Sequence, residues 1–538
     1  IYTDDLGYGD VSAYQKGTLK TPNIDKLANE GIRFNYGYAS SATCSPSRYA
    51  LLTGKYPWRK DGLRVITGGS LVIDTTEMTI PKLLKRKNYH TGIVGKWHLG
   101  LGSGDGVAGS GIIDYNSTIS PGPNEVGFDY SHIMADTQDR VPTVYIENGD
   151  VVNLDPNDPI EVNFFHQKKH DDYGLPTGLK NPELTTMKWH HGHNGSIVNG
   201  VPRIGYMKGG NNALWSDIDM ADHFLQKAKE YIKRNKNNPF FLFYTLQQPH
   251  VPRTPHPRFE GLSGMGPRGD VIIEADWAIG ELYKTLESEN LLDNTLIIFS
   301  SDNGPVLNDG YYDDAVEKLG DHTPKGELRG GKYSLFEAGT RVPFISYWKG
   351  KIKPGISDEM ISQIDILNSI SKLVGLEYRS KDGIDFLDLI INNKGKNSVD
   401  YYHKKLGKIM WNKCGMSRNE KGLKEAMKEI NQLRKDFYKN VKVPGFTNQY
   451  NEELAKAGRL ADFLELGELF AKDGLERTES CGGHFREESQ TLEGEAVRDD
   501  RNFTFVSVWE HKGEPSKSKL IKEKLNFEEI DVKTRSYK

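Results

Sequence analysis

The chain is poor in cysteine, with three in 538 residues, at Cys44, Cys414 and Cys481. So sparse and odd a set makes no disulfide framework. Long apolar runs are missing too: no stretch of roughly eighteen apolar residues occurs, so the sequence offers no membrane-spanning helix. Nor does charge of one sign dominate. The formal net charge is -4, which argues against a nucleic-acid binder with its basic footprint. Five hundred residues exceed one ordinary core, so two or more domains are expected. The chain opens on Ile1-Tyr2-Thr3-Asp4-Asp5, the pattern of a strand's end, with no signal peptide ahead of it. A truncated first strand and a lost export signal are the expectation there.

What is present is punctuated by chemistry. Around Cys44 the sequence reads Cys44-Ser45-Pro46-Ser47-Arg48, then Tyr49 to Gly54. Proline in the first turn and glycine past the end mark a short helix. Its free N–H groups and dipole suit a tetrahedral anion, with a sulfur, the Ser47 hydroxyl and the Arg48 guanidinium about one point. A buried structural cysteine is the ordinary alternative. Asp4 and Asp5, followed by Gly7 and Gly9, suit a hard divalent cation with oxygen ligands, or else a capped turn. A helix is expected from Thr21-Pro22-Asn23 to Gly31, then a strand over 32–39 that delivers the chain to Cys44. A helix over 80–87 and a strand over 90–94 follow. Lys96 and His98, two apart at that strand's end, share a side and suit anion binding and proton transfer.

Residues 101–215 are rich in glycine, proline and asparagine, which predicts long loops over one end of a sheet. The spacing Gly104, Gly106, Gly109 opens no evident helix there and reads as a chance match to a nucleotide-binding loop. His190, His191 and His193 read as substrate contacts or exposed histidines rather than zinc ligands, since no cysteine or carboxylate sits at ligand spacing. A helix over 216–234 precedes the apolar strand 239–244, which leads to His250; a helix over 271–287 precedes the strand 295–300, which leads to Asp302-Asn303-Gly304. Strand after strand thus ends in polar groups: Asp4 and Asp5, Lys96 and His98, His250, Asp302 and Asn303. The alternation predicts an α/β fold, a doubly wound and mostly parallel sheet whose ligands lie beyond the carboxyl ends of its strands. Asp321-His322 and a glycine-flanked Lys332 follow. Gly330 and Gly331 permit a close approach, and Lys332 is a second cation for an anionic substrate or a solvated lysine. A helix over 361–374 comes last in this part.

Together these motifs resemble the formylglycine-dependent sulfatases of the alkaline-phosphatase superfamily, over roughly residues 1–390. Cys44-Ser45-Pro46-Ser47-Arg48 fits that family's C-x-P-S-R modification signature, and Gly95-Lys96-Trp97-His98-Leu99-Gly100 fits its second one. The resemblance implies a sulfuric ester hydrolase. Cys44 would be oxidised by a formylglycine-generating maturation enzyme, the hydrate supplying the nucleophilic oxygen. Asp4, Asp5, Asp302, Asn303 and the modified Cys44 would bind one calcium ion. Arg48 and Lys96 would hold the nucleophile and sulfate, His98 would assist release of the hemiacetal sulfate, Lys332 would grip the ester and His250 would protonate the leaving alcohol. The stretches 120–142, 199–209 and 252–269 look most like bacterial exo-sulfatases that act on sulfated glycans carrying 6-O-sulfated galactose or N-acetylgalactosamine. Asp321, His322, His191 and His193 are the expected sugar contacts. A periplasmic or secreted protein is implied for the intact sulfatase. The alternatives are a phosphomonoester or phosphonate ester hydrolase of the same superfamily, or an inactive chimera.

Beyond residue 393 or so the character changes. Helices are expected over 397–413, 420–438 and 452–472, rich in Lys, Glu, Leu and Ala, with no strand pattern. This tail resembles the C-terminal helical region of the flavoprotein subunit of succinate dehydrogenase or fumarate reductase. The residues that carry the likeness are 402–416, 463–480 and Cys481-Gly482-Gly483-His484-Phe485-Arg486-Glu487-Glu488. No redox activity is expected of it, and Cys481 and His484 read as structural. The expected domains are 1–390, a sulfatase catalytic domain lacking its C-terminal subdomain, and 391–538, a helical segment joined by a fusion of gene fragments or by an assembly artefact.

Overall fold

The computed structural model describes residues 1–17, 19–65, 67–104, 113–164, 176–385, 397–443 and 452–529. It divides into two units, Ile1–Ile391 and Asn392–Lys538. Gly106 and Gly109 of the chance glycine motif lie outside the described residues.

The first unit is built on a ten-stranded sheet. Its strands are β1 (Tyr2–Thr3), β2 (Ile32–Tyr38), β3 (His90–Lys96), β4 (Tyr130–Met134), β5 (Tyr145–Glu147), β6 (Asp150–Val151), β7 (Phe240–Thr245), β8 (Ile297–Ser301), β9 (Phe344–Tyr347) and β10 (Gly355–Ser362). They lie in the order β10-β2-β9-β8-β1-β7-β3-β4-β5-β6. The block β8-β1-β7-β3-β4 is parallel throughout, with Tyr2 opposite both Thr245 and Ser300, and Lys96 opposite Met134. The short β1 therefore sits in the middle of the sheet, and its exit is flanked by the exits of β7 and β8.

Successive residues of a buried strand feed opposite layers. On β3, Ile93 packs with the core formed by α2 (Cys44–Thr53), α3 (Ile80–Lys85) and α6 (Asp365–Leu373). Its neighbour Val94 packs with the core under α1 (Pro22–Glu30), α4 (Met220–Asn235) and α5 (Gly266–Ser288). Helices cover both faces, as a doubly wound fold requires.

The sheet is mixed, with five of its nine strand pairings parallel, β10 with β2 among them. β8 with β9, β9 with β2, β4 with β5 and β5 with β6 run antiparallel. The chain returns from β4 to β5 and from β8 to β9 through loops without a crossover helix, and only a crossover allows parallel neighbours. Helix ends shift as well: α5 begins at Gly266 with proline in its first turn, and α6 begins at Asp365 because residues 361–362 belong to β10.

In the second unit, α7 (Val399–Cys414), α8 (Glu420–Asn440) and α9 (Glu452–Glu476) share a core of Tyr402, Leu406, Leu423, Ile430, Leu464 and others. A strandless tail was expected, yet β11 (Phe505–Glu510) and β12 (Lys519–Lys524) form an antiparallel hairpin. The alternation in Phe505-Val506-Ser507-Val508-Trp509-Glu510 is the period-two signal that the helical reading passed over. Cys481 and His484 pair through their backbones across a tight turn, at 2.8 and 3.1 Å.

At the end of β3, Gly95 has φ of 118°, and a Cβ there would lie 1.8 Å from the carbonyl oxygen of Thr245. Gly95→Ala should cost roughly 3 kcal/mol of stability. Gly261→Ala, also at positive φ but facing open space, should cost clearly less; urea unfolding of the two variants checks the difference.

Candidate active site

The helix α2 starts from an extended Thr43 (φ -150°, ψ 149°) and closes on a left-handed Gly54, whose N–H donates to Ala50. All ten of its residues are buried, Cys44 at 1% exposure. Its first turn faces the ends of β1 and β8. Cys44 Sγ lies 3.6 Å from Asp4 Oδ1. One ligand atom each from Asp4, Asp5, Cys44 and Asp302 falls within 4.8 Å of the others. Asp5 holds φ of 64°, a left-handed conformation unusual outside glycine, and its N–H donates to Asp302 Oδ1 at 3.3 Å. Asn303 Nδ2 donates to Asp5 Oδ1 at 2.7 Å, while Asn303 Oδ1 is buried with no hydrogen-bond partner among the described residues.

Cations close the ring. Arg48 grips Asp302 Oδ2 with Nε at 3.0 Å and Nη2 at 2.8 Å, and its Nη1 donates to the Lys96 carbonyl at 3.1 Å. Lys96 ion-pairs with Asp4 and lies 3.8 Å from Asp302. Lys332 Nζ bridges Asp5 at 2.9 Å and Asp309 at 2.8 Å. His250, on the loop after β7, places Nε2 3.9 Å from Asp5, with Nδ1 2.7 Å from the Val251 carbonyl. His98, at φ 55°, has Nε2 3.4 Å from Arg140 Nη1.

The electrostatics follow from packing these charges out of water. Burial and the adjacent Asp302 push Asp4 well above the ordinary carboxylate range, against the pull of Lys96. Burial also acts on Asp302, but Arg48 and Lys96 outweigh it and hold that carboxyl down. Acids that cannot all ionise side by side, with an amide oxygen left unpaired, are a donor set that fits a divalent cation with oxygen ligands. Burial drives the Cys44 thiol well up, more than Lys96 and Lys332 pull it down. As a thiol it is protonated and a poor nucleophile. Burial, Lys332 and Lys96 all drive the His250 imidazole well down, so it is neutral at pH 7; the carbonyl beside Nδ1 assigns the proton there and leaves Nε2 facing the acids.

Nine of the ten expected catalytic and metal positions thus converge, Cys44, Arg48, Lys96, His250, Lys332, Asp4, Asp5, Asp302 and Asn303, while the tenth, His98, stands beside Arg140. The expected sugar contacts do not converge in the same way. His193 is buried, with Nε2 2.9 Å from Asp139 Oδ2; His191 and Asp321 are exposed. His322 is buried with Nε2 2.9 Å from Asp10, which Arg268 also holds through both Nη atoms at 2.8 and 2.6 Å. That is a contact within the fold.

Sequence reasoning missed Asp136, Asp139, Arg140 and Asp309. The first three follow β4, a strand hidden in the glycine-rich region, and the rule that strands end in chemistry would have found them. Burial raises Asp139, but Arg140, His193 and His250 together hold it far below the usual carboxylate range.

Asp10 generates a pH prediction. Burial raises its carboxyl, but Arg268 and His322 more than offset this and hold it below its ordinary value. An acid depressed on folding stabilises above its unfolded pKa, about 3.9, and that contribution fades as pH falls through the lower folded value. Asp10→Asn should therefore cost about 3 kcal/mol at pH 7, because it strands a buried Arg268. The gap to the parent should narrow below about pH 4, as read by urea titrations across pH.

The chain is similar to known proteins. The sulfatase family model covers residues 1–376, and a model described as the fumarate reductase flavoprotein C-terminal region covers 403–537. An N-acetylgalactosamine-6-O-sulfatase of Bacteroides thetaiotaomicron is 53% identical over 375 residues, 70% of this chain and 71% of that protein. Human arylsulfatase A is 31% identical over 402 residues, covering 73% and 67%. Among solved structures, one of a Bacteroides thetaiotaomicron protein, described under the metabolism of multiple glycosaminoglycans, superposes with a TM-score of 0.69 at 50% identity, covering 73% of this chain and 81% of that one. A Pseudoalteromonas sulfatase gives 0.50 at 26% identity, with 72% and 70% covered. Residues 403–537 are similar to the fumarate reductase flavoprotein C-terminal region, and through its first 376 residues the chain belongs to the sulfatase family of sulfuric ester hydrolases.

Proposed function

We propose that the first unit removes sulfate, as an exo-acting enzyme, from a sulfated glycan carrying 6-O-sulfated galactose or N-acetylgalactosamine. It would use formylglycine made from Cys44 by a maturation enzyme, together with one calcium ion. The observation that carries this reading is the buried set Asp4, Asp5, Cys44 and Asp302, ringed by Arg48, Lys96 and Lys332. The 53%-identical relative named for N-acetylgalactosamine 6-O-sulfate supports the choice of sugar.

A sulfate monoester arrives as an anion, so an attacking oxygen needs cations around it before it can approach sulfur in line. Asp4, Asp5, Asp302 and the unpaired Asn303 Oδ1 would hold the calcium, which when bound adds positive charge beside the nucleophile. The thiol of Cys44, kept protonated by burial, cannot serve as that nucleophile; oxidised to formylglycine, the side chain supplies an oxygen instead. Arg48 fixes Asp302 and the carbonyl of Lys96, which orients the two elements carrying the site. Lys96 and Lys332 are placed to take the sulfate oxygens. Those same two charges keep a proton off His250. An anionic ester between them offsets both, which favours protonation of Nε2 and prepares it to donate to the leaving alcohol. His98, beside Arg140, serves the release of sulfate from the nucleophile.

Cys44→Ala and Cys44→Ser should each lower turnover by at least roughly 1,000-fold while leaving the unfolding midpoint near that of the parent; normal rates in either variant would overturn the nucleophile. Chelation of calcium should abolish turnover, and added calcium should restore it. With matched leaving groups, the sulfate ester should be turned over faster than the phosphate ester. The reverse order would favour the phosphoester reading.

A further inference from the structure

The mechanism above makes no use of Tyr333, which stands next to Lys332. Its φ is 68°. An aromatic residue in that left-handed region is a genuine outlier, and such strain persists only where the surroundings impose it. Here they impose it at both ends. The Tyr333 N–H donates to the carbonyl of Ala42, two residues ahead of Cys44, at 2.9 Å. Its hydroxyl donates to both oxygens of Asp309, at 3.1 and 3.2 Å. The Lys332 ammonium, which the same Asp309 holds, lies 5.1 Å from the ring centroid. Despite these ties the residue is 59% exposed. A pinned backbone, a pinned hydroxyl and an open ring face add nothing to the core.

We propose that Tyr333 is a stacking platform for the pyranose ring that carries the sulfate. This rests on the sulfated-sugar reading of the site and deepens it. The cations that would take the sulfate are buried, so the rest of the substrate must extend outwards past the rim. In a 6-O-sulfate the sugar ring stands one exocyclic carbon from the ester oxygen, which brings it to the rim and not into the cation cluster. A pyranose presents a face of polarised C–H groups, and an aromatic π-face is their electrostatic complement. Fixing the tyrosine at both ends beforehand removes the ordering cost that a free side chain would add on binding. Asp309, through its bonds to Lys332 and Tyr333, is the positioning residue that sets sulfate grip and platform at one spacing.

The test compares the parent with Tyr333→Ala, Tyr333→Phe and Leu335→Ala, using 6-O-sulfo-N-acetylgalactosamine as substrate and inorganic sulfate as a competitive inhibitor. Tyr333→Ala should raise KM by roughly 10-fold with a smaller change in kcat, and leave the inhibition constant of sulfate within about 2-fold. Tyr333→Phe, which keeps the ring and loses the Asp309 bond, should fall between. Leu335→Ala removes a fully exposed side chain on the same segment and should match the parent. An unchanged KM in Tyr333→Ala overturns the platform, as does an equal rise in the sulfate constant, which would mark the residue as part of the sulfate pocket. A KM rise as large in Leu335→Ala also overturns it. Failure of the underlying reading looks different: the parent itself would turn over no sugar sulfate while cleaving a phosphate ester, and the platform would fall with it.

Discussion

Everything in the first unit answers to one electrostatic constraint, the packing of Asp4, Asp5 and Asp302 against Arg48, Lys96 and Lys332 with almost no water between them. Removing one such charge from water costs several kcal/mol, and only close, well-directed partners repay it. That explains why the groups come from the most rigid places available. Asp4 and Asp302 leave adjacent parallel strands, Lys96 ends a third, and Arg48 stands on a helix buried over its whole length. A half-ångström drift would leave a carboxylate facing a carboxylate. β7 and β8 hold β1 on both sides, which fixes the direction in which Asp4 and Asp5 leave it.

The constraint also accounts for what could be read without a structure. The acids of the cluster and Lys96 lie where strands stop, and strands stop visibly: an apolar run such as Phe240 to Tyr244 gives way to polar groups within a few positions. Convergence at one edge then follows from parallel pairing. The flanks of the sheet were not legible in this way. β4 to β6 lie in a region of glycine and proline where periodicity fails, so the antiparallel turn-back, and with it Asp136, Asp139 and Arg140, stayed out of sight. Asp309 was hidden differently. It belongs to no motif, and only its partners Lys332 and Tyr333 give it meaning.

The second unit shows the opposite balance. Long lysine- and glutamate-rich helices were plain from their periodicity, and the core that joins them is the one such periodicity implies. The hairpin was missed because its strands bury no residue: Phe505–Glu510 alternates half-buried with exposed positions, and Lys519–Lys524 is exposed except at a half-buried Leu520. His322 of the first unit, expected among the sugar contacts, is buried and bonded to Asp10, more than three hundred residues away, a pairing that its neighbour Asp321 in the sequence does not announce.

Cys44 is 1% exposed, in a helix with no exposed residue. No second protein can reach its sulfur once the sheet has closed over it. The oxidation proposed for this side chain would therefore belong to a chain still unfolded, where an enzyme would meet only a few consecutive residues. The difference in spacing across the site follows. The groups proposed to act in the finished protein are scattered from Asp4 to Lys332 and gathered by folding, whereas the Cys44-Ser45-Pro46-Ser47-Arg48 proposed for modification is one contiguous run.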